Sequence, residues 1–193
     1  MDDKIKSIPV EVYLPSAVFR GQLLLRHNRL SDSLNSKTTD GVLRLDDVEI
    51  ENFSRNASPV KSRSVLIYTR QITFVVDLSP SFSDSGKSEE ISLVNKEARQ
   101  VLMEVGLFWM QGDVHVVPGL EFTKFAEAKS LFIPLTNARF IDFPDSPPRT
   151  FMINREKLNC LMDLPDVVAA NYPAATKQRR AQTADRKQSF HHS

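Results

Sequence analysis

One pattern occurs twice in this chain. At an offset of 91 residues, Val10-Glu11-Val12-Tyr13-Leu14 lies over Val101-Leu102-Met103-Glu104-Val105 with apolar positions in register. The same offset sets Phe19 on Met110, Gly21 on Gly112, Leu23 on Val114 and Leu25 on Val116. An offset of 92 brings Leu30-Ser31-Asp32 to Phe122-Thr123-Lys124. An offset of 90 brings Val42-Leu43-Arg44-Leu45 to Phe132-Ile133-Pro134-Leu135, and Asp47-Val48 to Asn137-Ala138. An offset of 86 brings Ile67 to Ile153, Ile72 to Leu158, and Asp77-Leu78 to Asp163-Leu164. The offset changes only where loops would lie, which is the signature of duplication followed by loop drift. The chain reads as two diverged copies of one unit.

Within a unit the hydrophobic period is mostly 2, so the elements are strands. Val10 to Leu14 is a half-buried strand, Pro15-Ser16-Ala17 a turn, and Phe19 to Leu25 a second strand interrupted by Gly21. A glycine inside a strand marks a bulge or a close backbone approach, and Gly112 repeats it. Asn28 to Asn35 reads as a short helical turn, with Leu30 and Leu34 on one face and Asn28 as its cap. Phe122, Phe125 and Ala126 take that part in the second copy. Val42 to Ile50 is a third strand, and Val65 to Val76 two more around Thr69-Arg70-Gln71. The second copy repeats this over Leu131 to Phe143 and Thr150 to Met162, turning at Asn154 to Lys157. The order predicts a mainly β protein with short helices, in which five short, bent strands per unit curl into a small barrel.

The expected boundaries are residues 1–78 for the first barrel, 79–99 for a polar, Ser-rich linker, 100–164 for the second barrel and 165–193 for a disordered basic tail. Each unit has about 70 residues, near the lower limit for independent stability, so the two should pack on each other or on another chain.

Two resemblances follow from these residues. Val10-Glu11-Val12-Tyr13-Leu14 with Gly21-Gln22-Leu23 resembles the opening of Sm-like and Hfq-like small barrels, and Val65 to Ile72 resembles their closing hairpin. This implies tandem five-stranded barrels of Sm or SH3 type, with single-stranded RNA as a ligand class. The chain departs from that pattern by placing the helix after strand two rather than before strand one. It also lacks the base-binding Asp and Asn pattern and the basic residues of the closing hairpin. Separately, Arg29-Leu30-Ser31-Asp32-Ser33-Leu34-Asn35 and Phe132-Ile133-Pro134-Leu135-Thr136-Asn137-Ala138 resemble a bacterial family of unknown function, with Arg-Leu-Ser-Asp-x-Leu-Asn and Phe-Ile-Pro-Leu-x-Asn-Ala signatures. That resemblance implies no activity.

Composition narrows the function classes. With 25 basic and 24 acidic residues the net charge is +1, which gives no general attraction to nucleic acid or membranes. The single cysteine, Cys160, leaves neither an internal disulfide nor a Cys-based zinc site and reads as a buried structural thiol. Gly86-Lys87-Ser88 lacks the earlier glycine of a phosphate-binding loop, Ser81 standing in its place. His27, His115, His191 and His192 have no metal-ligand spacing. Asp77 and Asp163 end equivalent strands and read as turn caps rather than an acid/base pair. Met1-Asp2-Asp3-Lys4 is not followed by the apolar stretch of a signal peptide, and no apolar run reaches membrane-span length, so a cytoplasmic location is expected.

The expectation is therefore a non-enzymatic interaction, scaffold or regulatory module, with no cofactor and no metal, that acts through a protein partner or self-association. Leu107, Phe108, Trp109 and Met110 form the most apolar turn region and are the candidate partner contact. The alternative is a single-stranded RNA or DNA binder. Phe19, Tyr68 and Arg70 would contact bases and phosphate, and Lys177, Arg179, Arg180, Arg186 and Lys187 in the tail would add attraction. The tail carries five basic residues against Asp166 and Asp185, a net +3 that leaves −2 on residues 1–163. A third reading is a small-ligand sensor with a pocket between the barrels.

Overall fold

A computed structural model describes residues 6–25, 27, 29–36, 41–53, 58–79, 96–119 and 129–164. The first half contains β1 (Lys6–Tyr13), β2 (Ala17–Leu25), α1 (Leu30–Asn35), β3 (Val42–Asn52), β4 (Val60–Tyr68), a 3-10 turn (Thr69–Gln71) and β5 (Phe74–Asp77). The second contains β6 (Glu97–Val105), β7 (Phe108–Val116), β8 (Phe132–Phe140), β9 (Arg149–Asn154), a 3-10 turn (Arg155–Lys157) and β10 (Leu158–Asp163). The protein is mainly β. Its strands start and end within a few residues of where alternation places them, and Glu97 opens β6 ahead of the expected boundary at residue 100. The helix is capped by Arg29 without a side-chain bond rather than by Asn28, which lies outside the described residues. It is held by burial of Leu30 and Leu34, as a six-residue helix must be. The helix expected around Phe122, Phe125 and Ala126 also lies outside the described residues.

All ten strands form one antiparallel sheet in the order β10-β6-β7-β8-β9-β5-β1-β2-β3-β4. Each half has the same internal order: its fourth, third, second, first and fifth strands are neighbours in turn. Strand pairing does not close either half into a barrel. The 3-10 turn after β4 swings the chain across to β1, and the outer side of β5 is taken by β9 of the other half. The sheet therefore stays open, with β4 and β10 as its two edges.

The β5–β9 pair is the shared wall of two cores. Val75 and Met152 lie opposite each other and belong to the first core, with Val10, Val12, Leu45 and Ile72. Phe74, Val76, Phe151 and Ile153, flanking them, belong to the second, with Val101, Met103, Met110 and Leu135. Side chains alternate faces along a strand, so the two cores lie on opposite sides of this pair. That is why β5 reads as an unbroken apolar run, Phe74-Val75-Val76, rather than an alternating one.

The repeated glycines sit where the sheet bends. Between Arg20 and Gln22 of β2, β3 inserts an extra residue, and between Gln111 and Asp113 of β7, β8 does the same. The extra residues are Asp47 and Asn137, both at φ 51°, a left-handed conformation that Asp and Asn tolerate best among side-chain-bearing residues. Opposite these bulges the backbones crowd together. A Cβ on Gly21 would lie 2.9 Å from the Asp46 carbonyl oxygen, and one on Gly112 would lie 2.8 Å from that of Thr136.

Candidate functional site

The two halves are joined by an aromatic cluster built from both. The Phe74 ring stacks on Tyr13 at 4.4 Å and meets Phe108 edge-on at 5.1 Å, with Phe140 at 5.8 Å and Phe151 at 5.9 Å. Phe53 reaches the same cluster through Tyr13 and Phe108. At its rim the Tyr13 hydroxyl donates to Glu11, and Arg20 bridges Glu11 at 2.8 Å and Glu51 at 2.7 Å. Burial, and next the Glu11 carboxylate, hold the Tyr13 phenol above the usual tyrosine range. The hydrogen bond to Glu51, reinforced by Glu11, holds the Arg20 guanidinium above its ordinary value.

Polar contacts complete the joint. Asn154 is fully buried; its side chain donates to the Ile72 carbonyl at 2.7 Å and accepts from the Glu156 amide at 3.0 Å. Asn35, at the end of α1, makes a two-way pair with the Phe132 backbone, accepting from its amide at 2.9 Å and donating to its carbonyl at 3.0 Å.

The structure divides the expected contact turn. Only Gly106 and Leu107 form the turn itself, and Phe108, Trp109 and Met110 already belong to β7. Leu107 is 87 % exposed and Trp109 38 %, whereas Met110 is fully buried in the second core and Phe108 is part of the aromatic cluster. Alternation along β7 accounts for the split, since neighbouring residues face opposite sides of the sheet.

The candidate nucleic-acid contacts are also separated. Phe19 packs against the first core opposite Ile50 of β3, while Tyr68 lies opposite Val42 at the other end of that strand. Measured along β3 the two positions are about 26 Å apart. Tyr68 and Arg70 are both exposed and near each other in sequence. Lys177, Arg179, Arg180, Arg186 and Lys187 lie outside the described residues.

A groove of about 500 Å³ runs over the second half, lined by Gln100, Gln111, Asp113, Asn137, Arg139 and Pro144 among others. It lies on one half, not between the two as the sensor reading placed its pocket. Among the described residues no cluster of His, Cys, Asp or Glu could hold a metal ion. Cys160 is half-buried on the edge strand β10, not in a core. Asp77 does cap the turn after its strand, accepting from the Ser79 amide at 2.8 Å, while Asp163 sits 3.8 Å from Arg99. No described helix is long and apolar enough to cross a membrane.

The sequence leaves open whether the fifth strand of one unit pairs with an edge of the other; in the structure β5 does so with β9, and two edges are left. No described strand covers the outer side of β4 or β10. Beside these edges stand Val60 at 61 %, Leu66 at 69 %, Tyr68 at 69 % and Met162 at 36 % exposure. The signal was present in Val65-Leu66-Ile67, where three apolar residues in succession break the alternation of a half-buried strand. No family model matches the chain, and comparison with curated proteins and with solved structures finds no match.

Proposed function

We propose that this chain is a non-enzymatic interaction module, a scaffold or regulatory subunit that acts through protein contacts at its free sheet edges. In this reading each five-stranded half is a small barrel of Sm or SH3 type, left open between its fourth and fifth strands and carrying a short helix after its second. The observation that supports it is the edge β4, whose outer side no described strand covers and which exposes Leu66 and Tyr68. An exposed edge of that kind is a template for another chain, and natural proteins usually blunt it. Leu107 and Trp109 are separately exposed on the second half.

A photo-crosslinking residue in place of Leu66, in cells that express the protein, is expected to yield covalent adducts with protein. The same residue at Leu24, exposed on the interior strand β2, is expected to yield none. Absence of protein adducts at Leu66 would sink the reading.

The adjacent exposure of Tyr68 and Arg70 favours a second reading, single-stranded nucleic-acid binding by ring stacking beside a cation. Fluorescence anisotropy with labelled single-stranded RNA across a salt series tests it. Binding that weakens steeply with salt and is lost in Tyr68→Ala supports this reading, and no binding at low salt removes it.

A further inference from the structure

The two free edges are the two halves of a joint that the chain already makes once within itself. Inside the molecule the fifth strand of the first half, β5, lies along the fourth strand of the second, β9, with Phe74 opposite Ile153, Val75 opposite Met152 and Val76 opposite Phe151. The offset of 86 residues that relates the two copies carries β5 onto β10, and β4 onto β9. It maps Phe74, Val75 and Val76 onto Cys160, Leu161 and Met162. It likewise maps Phe151, Met152 and Ile153 onto Val65, Leu66 and Ile67. β10 and β4 stand at the two ends of the sheet, and no described strand lies on the outer side of either.

Burial at matched positions differs as a missing partner requires. Met152 is 1 % exposed because it enters the core of the other half, whereas its counterpart Leu66 is 69 % exposed. Val76 is 2 % exposed and its counterpart Met162 is 36 %. Val75 is fully buried, and its counterpart Leu161 is half-buried, packed only at the margin of the second core.

We infer that a second copy of this chain covers these edges, β10 of one molecule adding to β4 of the next. This rests on the reading of the edges as protein contacts. The register follows from the internal joint: Cys160 opposite Ile67, Leu161 opposite Leu66 and Met162 opposite Val65. Leu66 then enters the second core of the neighbour as Met152 enters the first core of its own chain. Each chain carries one edge of each kind, so the contact is head-to-tail, and its repetition builds a closed ring or an open filament of two or more chains.

The test uses the full chain. Light scattering after size exclusion, over a concentration series, is expected to give a mass of two or more chains. Leu66→Asp is expected to reduce it to one chain, and Leu24→Asp to leave it unchanged. Ile67→Cys sets a thiol opposite the native Cys160 of the next molecule, at a separation that a disulfide spans. On oxidation it should link chains about tenfold more than Leu66→Cys, whose side chain faces the other side of the strand. A single-chain mass throughout the series, or equal linking by both cysteine variants, overturns the inference. If Ile67→Cys does not fold, the mass of Leu66→Asp against Leu24→Asp decides the matter. A single-chain mass with protein adducts at Leu66 in cells would reject the second copy as occupant while the interaction reading stands; without adducts, both fall.

Discussion

At the scale of single residues, the bend of each half depends on a glycine facing a left-handed bulge. Gly112 leaves its strand free to meet the β8 backbone, where a Cβ would come within 2.8 Å of the Thr136 oxygen, 2.9 Å of the Leu135 Cγ and 3.0 Å of the Ala138 Cα. Two of those three neighbours are backbone atoms, which cannot rotate aside. Gly112→Ala is therefore expected to destabilise by about 1–3 kcal/mol. Asn137→Gly, in the bulge itself, should cost less, under about 1 kcal/mol, because glycine adopts φ 51° without steric cost and only the exposed hydrogen bond from Asn137 to the Asp113 carboxylate is lost. Urea unfolding of the two variants checks this. A Gly112→Ala midpoint equal to wild type would mean that the close approach does not hold the bend.

At the scale of elements, the same strand has opposite energetics in the two copies because its neighbours differ. Tyr68 and Asn154 occupy equivalent strand ends, yet one is exposed and the other is buried, with its side chain on the Ile72 carbonyl. Asn154→Ala leaves that carbonyl without its side-chain donor and is expected to cost about 1–3 kcal/mol. Tyr68→Ala in the isolated chain should stay within about 0.5 kcal/mol, as surface changes usually do. Denaturation at a concentration where the chain is single gives both values. A cost for Tyr68→Ala matching that of Asn154→Ala would contradict the exposure of the β4 edge.

At the scale of the whole molecule, the shared β5–β9 wall makes the halves one cooperative unit. Its residues serve both cores, and Phe74 touches rings from each half. Unfolding followed by Trp109 fluorescence, which reports on the second half, should coincide with far-ultraviolet dichroism, which reports on all strands. Phe74→Ala is expected to cost about 3–5 kcal/mol and to separate the two curves. Separate transitions in the wild type would show that the halves fold independently and only lean on each other.

The strands, their succession along the chain, the repeat and the bent positions were legible in the residues alone. These depend on local alternation, on glycine and on short-range turn chemistry, all of which survive in the residues as written. Which strand lies beside which became visible with the fold. Val75 and Leu161 look alike in sequence, and so do Met152 and Leu66. Their burial differs because a strand's outer side is satisfied by whichever chain segment reaches it, and that segment lies far away in sequence or in another molecule. The same reason kept the sheet open where local pattern implied two closed barrels, whereas the split of Leu107 to Met110 follows from local alternation along β7, which sends Trp109 to the surface and Met110 into the core.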